Sequence, residues 1–120
     1  MHPWLQRLRH DLLKRAVWPA RDLAELLESG RPASPRDLQA LRDGLFGLRA
    51  DDGSACDARA LFARLRESAP AELPAAGLER FAAGLDEAMG AVSADSLPAA
   101  LGAVLRLEAL FEALFATRGP

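Results

Sequence analysis

The chain holds almost nothing from which a β-sheet can be built. Its 120 residues include three Val, one Thr and neither Ile nor Tyr, against 25 Ala and 22 Leu. Pleated surfaces are filled by β-branched and aromatic side chains, whereas Ala and Leu lose least on entering a helix. The expected fold class is therefore all-α, without a sheet. A chain of this length is one domain, 1–120, and buries roughly two-thirds of its unfolded surface without metal or disulfide support.

Apolar spacing and helix punctuation divide the chain into about five helices. Pro3 can open the first, which carries Leu5, Leu8, Leu12, Leu13, Ala16 and Val17 at helical intervals. Pro19 is expected to end or kink it, since proline disfavours helix at the residue before it. A second helix, Ala20 to Glu28, would bury Leu23, Leu26 and Leu27 and stop at Gly30. Ser34-Pro35 with Asp37 in the first turn is a strong helix start, combining cap, first-position proline and dipole complement. The stripe Leu38, Leu41, Leu45, Phe46 and Leu48 follows, with an end near Arg49, and Gly44 and Gly47 would allow close helix packing.

Asp51-Asp52-Gly53-Ser54 is a turn, and Asp57 caps a helix running to Ser68 that buries Leu61, Phe62 and Leu65. Two further helices follow, Ala75 to Val92 and Leu97 to about Thr117. Short connections make neighbours antiparallel, so the architecture expected is a single-domain up-and-down helical bundle. Its core should centre on Leu41, Phe62, Leu65, Phe81, Leu85, Leu101, Val104 and Phe111. The last helix is too apolar for one stripe. Leu107, Leu110 and Leu114 adjoin the row Leu97, Leu101, Val104, Phe111 and Phe115, so either neighbours cover both sides or a second copy pairs there as a homodimer.

Fourteen Arg against one Lys, with no Asn, resembles the product of a GC-rich bacterial coding sequence. A lone cysteine, Cys56, excludes an internal disulfide and fits the cytoplasm. No apolar run reaches the roughly 18 residues of a membrane span, and the first residues meet charge too soon for a signal peptide. The net charge of −2 is unevenly placed, with the basic excess in the first half of the chain.

No catalytic, cofactor or metal motif emerges. His10 and Asp11 are neighbours in a helix and diverge by about 100°, so the pair does not chelate one ion. Cys56 lacks a nearby base and reads as a small, partly buried side chain. The turn at Asp51 has no twelfth-position Glu and is not a calcium loop. Asp86-Glu87 and Glu108/Glu112 fall on polar helix sides, the latter pair within reach of Arg106 and Arg80 or of a partner's arginines. Segment 57–89 has the outline of a helix-turn-helix. In its second helix, however, Glu79, Asp86 and Glu87 outweigh Arg80, and this net acidic charge repels phosphate, so nucleic acid is not the expected partner.

The first helix carries the one constellation that points outward. Arg7, His10, Lys14, Trp18 and Arg21 recur at spacings of three and four, a cationic stripe with an aromatic in it, and Trp4 lies near its start. Trp and Arg are the residues enriched at interface hot spots. The expected function is a non-enzymatic interaction module of an accessory, assembly or regulatory kind that docks an unidentified protein partner through these five residues. The alternatives are a binder of anionic surfaces through the same helix, or a small-ligand site within the bundle. The bland alternative is a core tryptophan beneath solvated arginine stems.

Overall fold

A computed structural model describes residues 3–49, 53–67 and 75–116. The described chain is 83% helical. A long first rod comprises α1 (Pro3–Leu12), a five-residue π-helical turn (Leu13–Val17) and α2 (Trp18–Glu28). After it come α3 (Pro35–Phe46), α4 (Ala58–Glu67), α5 (Ala75–Ser93) and α6 (Leu97–Ala116), making five helical rods among the described residues.

The expected break at Pro19 is not there: the backbone stays helical from Pro3 to Glu28. Proline has no N–H, so the Arg15 carbonyl, four residues back, has no α-helical donor. A π-turn absorbs the disruption just before the proline, with the Trp18 N–H donating to the Leu13 carbonyl. Gly44 of α3 lies against the Arg15 carbonyl so closely that a Cβ there would stand 2.2 Å from the oxygen. The two helices meet where one has no side chain and the other has no proline N–H.

One inserted residue turns everything beyond it by about 100° relative to a regular helix. The buried face accordingly passes from Leu8 and Leu12 through Leu13, Ala16 and Val17 to Ala20 and Leu23. Leu26, expected inside, falls off this face and is 47% exposed.

The second half of the fold follows its capping residues. Gly30, at φ +103°, ends α2, with the Gly30 and Arg31 N–H groups donating to the Leu27 and Leu26 carbonyls. This is the glycine-terminated helix end in which a left-handed residue lets the chain turn back onto the last carbonyls. The Ser34 N–H donates to Asp37 Oδ2 at 2.8 Å, fixing the start of α3. That helix stops at Phe46 rather than near Arg49, because Leu48–Arg49 (β1) pairs with Ala55–Cys56 (β2), antiparallel, with Leu48 opposite Cys56. This ladder of two residues per strand is the exception to an expected absence of sheet. Asp57 Oδ1 accepts from the Ala60 N–H at 2.7 Å, capping α4 as its position predicts. Asp51 and Asp52, the Leu65 and Phe115 side chains, Ser68 and Thr117 lie outside the described residues.

Helices α5 and α6 pack along their length, and α6 also meets α2, α3 and the π-turn. That makes α6 the central helix, and Val104, Leu107, Phe111 and Leu114 are all buried. The row expected to recruit a second copy is thus largely consumed within the chain; of its three leucines only Leu110 reaches the surface. Leu101, expected in the core, is half-buried. Ala100 and Ala103 take the inward positions because small side chains let α6 approach its neighbours. Phe81 stacks between Phe62 and Phe111, with ring centroids 4.9 and 4.2 Å away.

Candidate functional site

The phase shift at the π-turn reorganises the basic stripe of the first rod. In a regular helix Arg9 and Arg21, twelve residues apart, would point about 120° away from each other. With one residue inserted they count as eleven steps and point within about 20° of one direction. That direction is α6. Arg9 pairs with Glu112 at 2.7 Å, and Arg21 pairs with Glu108. The two carboxylates, one turn apart on an otherwise apolar helix, are thus matched by arginines of the first rod. Arg106, their expected partner, pairs with Glu87 instead.

Arg21 thus ties the rod to α6 while its side chain stays exposed. The other members of the stripe are at the surface too. Arg7 is exposed and lies 4.0 Å from Asp11. His10 and Lys14 are exposed, and Lys14 makes no ion pair among the described residues. Trp18 is 44% exposed, so it is not the core residue of the bland alternative. The side chain of Trp4 lies outside the described residues.

An exposed indole is physically unusual, because covering its remaining apolar area would release further hydrophobic free energy, about 25 cal/mol per Å². Its ring offers a wide apolar face with an N–H at the edge, suited to a partner that is part apolar and part acidic. Lys14 lies one turn before it and His10 one turn before that. Lys14 sets a cation on the approach to the aromatic, with the His10 imidazole behind it.

Elsewhere the chemistry is sparse. Among the described residues no polar or charged side chain is buried, and no three His, Cys, Asp or Glu gather where a metal could sit. Cys56 is half-buried in β2, as expected of a small packing side chain. Among the described residues, Asp37 is the carboxylate whose titration is clearly perturbed. The Arg31 guanidinium, hydrogen-bonded at 2.8 Å, and then the Ser34 N–H hold its carboxyl below the ordinary value of 3.8. This is a helix cap rather than a reactive group.

A depressed folded-state value means that the carboxylate stabilises the fold fully above the ordinary value. The contribution is then lost as pH falls through the lowered one. Asp37→Asn should therefore lower the urea midpoint at neutral pH, and the gap to the wild type should close on acidification. A gap that persists at the acid end would show that the charge is not what Asp37 contributes.

A groove of about 370 Å³ runs between α5 and α6. Gly84 and Leu110, both half-buried, lie deepest in its lining, Ala83 and Ala109 form low sides, and Arg80, Glu87 and Arg106 are exposed at its edge. A Cβ on Gly84 would stand 2.5 Å from Leu110 Cδ1, so the missing side chain is what lets Leu110 turn in and shapes the floor. The groove does contain Arg and Glu from two helices, charged groups that could hold a polar ligand if they converged on it. They stand at its edge, however, with Glu87 and Arg106 paired to each other rather than converging on a cavity. Comparison of the chain with protein-family models, curated proteins and solved structures finds no match.

Proposed function

We propose that the chain is a non-enzymatic helical interaction module, a small bacterial accessory, assembly or regulatory protein. It docks an acidic protein partner through the outer face of its first rod. Arg7 and Lys14 supply the charge, His10 lies between them on the same face, and Trp18 is the anchor, while Arg21 holds the rod in place through Glu108. The observation that carries this reading is the exposure of Trp18 beside Lys14: a large aromatic left in water next to a cation without an ion pair among the described residues. Buried aromatics at interfaces carry a disproportionate share of binding energy, and surface charge governs how fast partners meet.

The test begins with a photo-crosslinking residue in place of His10, which is exposed, in cells that make the chain. An acidic protein captured there, then purified, should bind more slowly to the double variant Arg7→Glu, Lys14→Glu, with a flatter salt dependence. The same double reversal should leave urea stability within about 1 kcal/mol, since exposed charges contribute little to folding. Crosslinks to nucleic acid or lipid, with steep salt dependence, would replace this reading with the anionic-surface alternative. Unchanged association kinetics would remove the charged face from the account.

A further inference from the structure

The groove between α5 and α6 has a charge pattern that fits a copy of itself. Arg80 and Glu87 stand seven residues apart on α5, about 10 Å along the axis, at the two ends of the groove's α5 wall. Midway between them are Ala83 and Gly84, which keep that wall low. A two-fold axis passing beside Ala83 and Gly84 and perpendicular to α5 sets one α5 antiparallel to the other. Arg80 then faces the partner subunit's Glu87, and Glu87 faces the partner subunit's Arg80. A contact of this kind is isologous, since each residue of the pair supplies what the other copy lacks.

We propose that this groove seats α5 of a second copy of the chain. The ridge of one α5, lowest at Ala83, enters the groove of the other over Gly84 and Leu110, and the arrangement is reciprocal. Four helices, α5 and α6 from each copy, then form a layer in which both grooves are filled. Arg80 makes no ion pair among the described residues, so it is available to its symmetry mate. Glu87, already beside Arg106, accepts a second guanidinium, as a carboxylate with two oxygens can. Leu110, the one leucine of its row left at the surface, acquires cover. This dimer surface is separate from the Trp18 face and does not depend on it.

Sedimentation velocity on the whole chain, at concentrations rising to about 1 mM, the weak end of specific association, should show a monomer–dimer equilibrium. Arg80→Glu sets two carboxylates against each other twice per dimer. Like charges so placed weaken association strongly, so the dissociation constant should rise at least about tenfold. Glu87→Arg should do the same. Mixing the two variants should restore the dimer, because the heterodimer again has opposite charges at both contacts. Ala83→Trp, which raises the ridge without altering charge, should abolish dimerisation while circular dichroism shows an intact helical fold. A chain that stays monomeric throughout, a dimer indifferent to Arg80→Glu, or a mixture no tighter than either variant alone would overturn the proposal.

Discussion

Phe81→Ala should cost the fold about 3–5 kcal/mol, a large part of the 5–15 kcal/mol typical of a whole domain. Phe81 is fully buried on α5 and is the middle ring of three, touching Phe62 of α4 and Phe111 of α6. Truncating it leaves a cavity where three helices meet and removes both ring contacts at once. Phe62→Ala and Phe111→Ala each remove one of those contacts, so each should cost somewhat less than Phe81→Ala. Urea unfolding followed by circular dichroism gives the ranking. A loss below about 1 kcal/mol at Phe81 would mean that α5 turns another face inward, since a buried phenylalanine is not deleted so cheaply.

Gly44→Ala carries the second large effect, and its sign opposes the ordinary one. In the middle of an exposed helix the change from Gly to Ala stabilises by about 0.5–1 kcal/mol. At position 44 the new methyl would lie 2.2 Å from the Arg15 carbonyl oxygen and 2.9 Å from its carbon. Both are backbone atoms of the first rod, so no side-chain rotation relieves the overlap. Relief requires α3 to move away from the π-turn, and overpacking of this kind costs roughly 1–3 kcal/mol or more. Gly90, exposed on α5 with nothing within 4 Å of a would-be Cβ, is the internal control. Gly90→Ala should raise the melting temperature while Gly44→Ala lowers it. If both raise it, the close approach of α3 to Arg15 is not part of the fold.

These two sites mark what a single chain's pattern discloses and what it conceals. Helix identity was legible because it rests on local chemistry: Ser34-Pro35-Asp37 and Asp57 start helices, and Gly30 ends one through a left-handed residue. The three-ring core was legible too, since Phe62, Phe81 and Phe111 recur in phase with the leucines around them. The π-turn was not. Pro19 signals the loss of one hydrogen bond, and ending the helix there is the cheapest local answer. The rod continues because of non-local contacts: Gly44 packing on the carbonyl that Pro19 leaves free, and Glu108 and Glu112 drawing Arg21 and Arg9 to one side. Once the helix continues with an extra residue, every phase beyond it changes relative to α1, which is why Arg21 comes to point the way Arg9 does.

The exposed basic face of the first rod was legible in part for the same reason. Arg7, His10 and Lys14 precede or begin the π-turn, keep the spacing of a regular helix and remain on the surface. Arg21 follows it and, though exposed as well, pairs with Glu108 of α6. The carboxylates at Glu108 and Glu112 showed that arginines were wanted, but not which ones, because Arg9 and Arg21 share a direction only through the inserted residue. The α5–α6 groove leaves no mark in the sequence. Its lining of Ala83, Gly84 and Ala109 is too small in side chains to stand out from an alanine-rich background, and its shape depends on how Leu110 turns over Gly84.

The most direct test of the account is the dissociation rate of Trp18→Ala from the protein captured at position 10. If the half-exposed indole is the anchor, the complex should break up about tenfold faster or more, as removal of an interface aromatic typically brings. Association should change little, because the charges at Arg7 and Lys14 remain. A Trp18→Ala variant that keeps its helical spectrum and leaves the captured partner at the wild-type rate would contradict the claim that this face is where the chain does its work.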